Sequence, residues 1–191
     1  TNTSFIGSEE TVKQQLKDWK VAVLAIVFLV ARVIYSFYWL KSGWGKATTW
    51  LSDGTYNAAG KIQTLIANIA GPEVTRFDPL GINKFFAWVA DTFFLGMPGL
   101  TDVLVVVFEI GCALAIIFGF KVFWAALIFM FMNVQFIASG SFNNFGFIWT
   151  NLIFMQLHKY VGLLGIDGYL AYRKGVSIAD KKLGTSPSVA K

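Results

Sequence analysis

The sequence predicts an all-α membrane protein, a four-transmembrane-helix bundle with a long extracytoplasmic loop containing short amphipathic helices between helices 1 and 2. Three observations carry that expectation. Of 191 residues, 55% are hydrophobic and only 14% are charged, against about 25% charged in ordinary soluble domains. Aromatic side chains reach 17%. Four stretches, about 20–41, 100–119, 122–139 and 146–165, each approach the roughly 20 apolar residues needed to cross a ~30 Å hydrocarbon core.

Residues 1–19 precede the first span. "TNTSFIGSEETVKQQLKDWK" lacks the basic, then apolar, then small order of a cleavable signal, so the first span is expected to be retained. Ser8 is placed to cap a short helix, and Glu9 and Glu10 suit its positive end. Val12, Leu16 and Trp19 recur at helical spacing, which predicts a segment lying along the cytoplasmic membrane surface.

The membrane domain is expected over 20–170, including an outer loop at 47–98. That connection far exceeds the usual few residues. Inside it, Ile62, Leu65, Ile66 and Ile69 share one helical face, and Phe85, Phe86, Trp88, Val89, Phe93 and Phe94 gather in an aromatic segment suited to the headgroup boundary. The loop reads either as a simple anchored cap or as a lid shaping a ligand entrance. "FGFK" at 118–121 predicts a tight turn stopped by Gly119, making the second and third spans antiparallel neighbours. "SGSFNNFG" at 139–146 predicts a compact outer turn. Near the last exit, Asp167 is placed to satisfy backbone donors, and the basic tail 171–191 is expected to be cytoplasmic and partly disordered.

Basic residues set the orientation. Lys13, Lys17, Lys20, Lys121, Lys159, Arg173, Lys174, Lys181, Lys182 and Lys191 fall on one side if both termini are cytoplasmic. The net charge of +5 then signals topology and attraction to anionic lipid, not nucleic acid. One cysteine, Cys112, and one histidine, His158, leave no cysteine-ligated cluster, two-histidine haem or multi-histidine metal site within this chain alone.

The polar residues inside the spans suggest the chemistry. Arg32 and Glu109 lie near the midpoints of the first and second stretches, and each alone in hydrocarbon costs at least about 2.5–3.5 kcal/mol. They are therefore expected to pair, either as a packing device or as a functional site. Tyr35, Tyr38, Trp39, Asn133, Gln135, Asn151 and Gln156 could line one outward cavity around that pair, although each amide alone is more simply an interhelical hydrogen-bonding group. Donors, aromatic walls and a lipid-facing gap are what a quinone needs. "SGWGKAT" lacks the spacing of a phosphate loop, and Met130 and Met132 read as packing residues.

"FYWLKSGWGK" after an arginine, a long outer loop, "FEIGCALAIIFGF" and a final "GLLGIDGYL" together resemble the DoxD proteins within the broader DoxX-like membrane family, over about residues 25–170. The resemblance implies a prokaryotic cell-membrane subunit, both termini cytoplasmic, of a thiosulfate:quinone oxidoreductase that oxidises thiosulfate to tetrathionate. Quinone would be its mobile electron acceptor and a DoxA-like small subunit its partner. On that expectation Arg32 and Glu109 are the catalytic candidates; Tyr35, Trp39, Asn133 and Gln135 the quinone-binding ones; and Lys41, Lys46 and Arg76 could draw in a divalent oxyanion. The rival expectation is a non-catalytic accessory subunit of a larger respiratory or photosynthetic complex.

Overall fold

A computed structural model describes residues 11–74 and 77–178. The expected Ser8 cap, Arg76 and the tail beyond 178 lie outside the described residues. The described residues are helical, with no strand among them.

A one-turn helix α1 (Val12–Gln15) opens on Thr11, whose side chain and that of Gln14 cap each other's backbone N–H groups. Val12 and Gln15 are buried, whereas Leu16 and Trp19 are exposed, so the three apolar residues do not share one face. Asp18 caps α2 (Trp19–Asp53) by accepting from Lys20 N, and Gly54 ends it at φ 76°. This helix does not stop near 41, where the apolar run fades; it continues through "KSGWGK" to Asp53. In this extension α2 packs tightly at Gly43, where a Cβ would stand 2.9 Å from Ile110 Cγ1 and 3.0 Å from Glu109 Cβ. The small residue lets two backbones approach closely and be held by packing.

The expected 47–98 loop is therefore mostly helical. It contains α3 (Ala58–Ala70) and α4 (Ile82–Val89), the latter running into a π-helical turn, Ala90–Leu95. On α3, Leu65 is buried and Ile62, Ile66 and Ile69 are half-buried, as their spacing predicts. The aromatic segment splits between two faces: Phe86 and Phe94 turn inward, while Phe85, Trp88 and Phe93 are exposed.

Next come α5 (Pro98–Phe118) and α6 (Val122–Ala138). Pro98 begins α5, where a missing N–H costs nothing, and Gly119 ends it at φ 66°, as expected for a tight turn. A 3₁₀ turn at Phe142–Asn144 leads into α7 (Phe145–Gln156), followed by the short α8 (His158–Val161) and α9 (Ile166–Lys174). The fourth apolar stretch is thus broken near Leu157 instead of forming one helix to 165. The tail also starts later than expected, since Ala171 and Ile178 are buried with Val12 and Ala25.

Two helices, α2 and α5, are long and apolar enough to cross a membrane. Only 28% and 39% of their most apolar windows are buried, so neither behaves as the core helix of a water-soluble domain. Val23, Ile26, Val27, Val30, Ile34 and Phe37 are all at least half exposed along α2, an apolar surface too extensive for an ordinary soluble monomer.

The helices pack as α2 on α5, α5 on α6 and α6 on α7, with α3 covering α5 and α6 and α1 resting on α9. Phe28, Tyr35, Trp39, Ile116, Phe129 and Phe154 form the centre.

One end of the bundle is clasped by the "GLLGIDG" segment. Asp167 accepts from Lys121 N at 2.8 Å and Val122 N at 3.2 Å, capping α6, and Asp167 N donates to Gly119 O at 2.8 Å. The sequence placed Asp167 as a satisfier of backbone donors, and the donors it meets are those of a neighbouring helix. Asp167→Ala should cost about 1–2 kcal/mol, as for loss of a helix cap, read as a lower melting temperature in mild detergent; unchanged melting would show that this clasp carries no load.

Candidate functional site

Glu109 sits on α5 with no exposed surface. Its partner is Lys46, whose Nζ lies 2.6 Å from Oε1 and also 2.9 Å from Ser42 Oγ. The second carboxylate oxygen is buried without a hydrogen bond. Lys46 Nζ stands 5.2 Å from the Phe136 ring centroid and 6.0 Å from that of Tyr56. The ammonium is thus flanked by a carboxylate and two aromatic rings while part of the lysine side chain still reaches solvent.

Those two rings also form part of a cavity of about 470 Å³ between the cap helices and α5 and α6. Phe86, Phe94, Leu104 and Met132 supply much of its apolar wall, with Gln135 and Lys61 among its few polar contributors. The ion pair therefore stands one layer of rings behind the cavity. Asp102 holds this corner together: it accepts from Ala58 N at 2.9 Å and from the Thr55 hydroxyl, tying the start of α3 to α5. Burial, and then the negative charges of Glu109 and Asp102, push the Tyr56 phenol above its ordinary value of 10.0. Its proton stays in place through the neutral range, so Tyr56 is a hydrogen-bond donor and not a base. The associated stability is fully present below about pH 10 and is lost as pH rises through the raised value.

No protein-family model, curated protein or solved structure matches the chain.

The expected Arg32–Glu109 pair does not form. Arg32 Nη1 donates to the Val161 carbonyl and Nη2 to the Leu164 carbonyl at 2.5 Å. Its guanidinium packs on Gly119 and Gly165, where a Cβ would stand 2.7 and 3.0 Å from Nη1. The reason is register. Arg32 lies beside Gly119 and Glu109 beside Gly43, so the two charges are separated by eleven residues of α2, about 16 Å along its axis at 1.5 Å per residue. Matching midpoints of apolar runs misplaced them because α2 extends twelve residues past the assumed end at 41.

The remaining candidates fall into separate groups. Tyr35 donates to Asn151 Oδ1 at 2.7 Å, and Trp39 and Asn133 bring polar groups close to the same hydroxyl without well-formed hydrogen bonds. Trp39 is stacked on Phe129 at 4.2 Å. Tyr35, Trp39 and Asn133 are thus brought together inside the bundle, behind the cavity lining, and only Gln135 of the expected quinone-binding set lines the cavity. Lys41, Tyr38 and Gln156 are exposed. His158 is buried, with Nδ1 2.9 Å from the Met155 carbonyl oxygen. Among the described residues no three His, Cys, Asp or Glu side chains come together as a metal site.

Sequence reasoning missed Tyr56, Phe136 and Asp102. The signal for Phe136 was its adjacency to Gln135. Asp102 acts on a backbone amide 44 residues away, which no local pattern announces.

Proposed function

We propose that this chain is a multi-pass membrane subunit, with α6 and the α7–α8 segment completing a four-span bundle and both termini cytoplasmic, that binds a quinone beneath its outer cap. The observation that carries this reading is a largely apolar cavity whose wall residues Tyr56 and Phe136 also flank Lys46, the partner of buried Glu109. The apolar walls suit an isoprenoid chain, Tyr56 and Gln135 can donate to ring carbonyls, and the Phe136 ring offers a flat face. Glu109 and Lys46, behind the Tyr56 and Phe136 rings, and Lys61 on the cavity wall are the groups able to exchange protons with the site.

The DoxD resemblance adds thiosulfate as the electron donor. Joining two thiosulfate anions through a new S–S bond to give tetrathionate releases two electrons; the quinone takes these with two protons and becomes quinol. A DoxA-like partner subunit would share the thiosulfate side, where exposed Lys41 could steer the anion.

The test is quinone binding by the purified chain in detergent, followed by quenching of its tryptophan fluorescence with a short-tailed quinone. Leu104→Trp, which fills the cavity, should weaken binding at least tenfold while the protein still melts cooperatively, and Tyr56→Phe should weaken it by less. Equal binding to the native and filled chains would defeat the reading and leave an accessory subunit as the better description.

A further inference from the structure

The two ends of the described chain meet. Val12 N bonds to Val176 O at 3.5 Å, and Val12, Ala171 and Ile178 share one buried cluster with Ala25 of α2. This contact places Lys13, one residue from Val12, beside the end of α9, where Arg173 and Lys174 precede Val176. Lys17 and Lys20 follow on the path into α2. All five basic side chains are exposed, and so are the aromatic residues among them: Trp19 (70%), Tyr169 (59%) and Tyr172 (52%).

Asp18, the acidic residue within this group, caps α2 by accepting from Lys20 N at 2.9 Å and subtracts one charge, leaving the five cations in excess. The flanking residues 1–10 and 179–191 carry acidic and basic side chains in equal number, three of each, and add no net charge. Hydrophobic packing thus gathers five cations from opposite ends of the sequence at the foot of an apolar helix.

We propose that the joined α1 and α9 ends form a docking surface for anionic phospholipid headgroups. Charge complementarity identifies the occupant: four to eight Lys or Arg residues beside a membrane helix attract acidic lipid, and Trp and Tyr favour the same headgroup layer. A partner protein would need its own complementary acidic surface, whereas the bilayer presents its phosphates wherever α2 enters it. This inference does not depend on the quinone reading.

The experiment reconstitutes the full chain with equal parts phosphatidylglycerol and phosphatidylcholine and measures the lipid retained after mild detergent extraction. The native chain should hold phosphatidylglycerol about fivefold or more over phosphatidylcholine, an enrichment that falls as salt rises. The combined variant Lys13→Gln, Lys17→Gln, Arg173→Gln, Lys174→Gln should retain both lipids equally, and exchanging Lys for Arg and Arg for Lys at the same positions should preserve the enrichment. Parity in the native chain, or full enrichment in the glutamine variant, overturns the proposal. Phosphatidylglycerol vesicles should also raise the melting temperature where inorganic phosphate at matched concentration does not; an equal rise with phosphate overturns the lipid assignment.

Discussion

On the proposed quinone reading, Glu109→Gln should leave the chain folded while lowering thiosulfate-driven quinone reduction by about a hundredfold or more, the scale of losing a positioned proton-transfer group. Glutamine keeps the shape and an oxygen acceptor for Lys46 but cannot carry a proton to or from the site. The fold tolerates the change because Lys46 retains its bond to Ser42 and its side chain is 20% exposed, so water relieves part of its lost pairing. The cost then falls below the roughly 3–5 kcal/mol of orphaning a fully buried charge. Normal turnover in this variant would remove Glu109 from proton handling, and loss of quinone binding as well as turnover would relocate its role to shaping the pocket.

Arg32→Leu has the opposite signature. It should destabilise the bundle without acting on the cavity, because the guanidinium serves the Val161 and Leu164 carbonyls and lies far from Lys46. Leaving a buried carbonyl at Val161 unpaired costs about 1–3 kcal/mol, and the part-buried one at Leu164 adds less, together a large share of a typical domain's stability. Arg32→Lys should recover only part of this, since an ammonium lacks the planar fork that reaches two acceptors at once. Unfolding in detergent, followed by circular dichroism, measures the effect; a leucine variant as stable as the native chain would mean that the α8–α9 turn holds without its cation.

Much of the fold could be read from local features. The Gly119 turn, the buried face of α3 and the capping role of Asp167 follow from spacing and turn chemistry alone. The end of α2 could not be read this way, because apolar content fades after Leu40 while the helix runs on past Gly43, packed against Ile110. That contact appears only when α5 is in place. The same omission carried into the site. Arg32 and Glu109 were matched by assumed depth, and a displacement of eleven residues gave each a different partner. Lys46 and Glu109 were both recognised as chemistry-bearing, yet their pairing depends on the register between two helices, which neither helix encodes locally. Tyr35, Trp39 and Asn133 do meet, but around the Tyr35 hydroxyl inside the bundle, where Asn151 accepts from it.

The unequal lengths of α2 and α5 also constrain how lipid surrounds the chain. At 1.5 Å per residue α2 measures about 52 Å and α5 about 31 Å. Sinking all of α2 into a ~30 Å hydrocarbon layer would require an inclination near 55°, outside the roughly 0–40° range of membrane helices. Part of the long helix must therefore emerge into the hydrated boundary, so a thicker bilayer would cover more of it, and changes in membrane thickness would move its flanking tryptophans and lysines between oil and water.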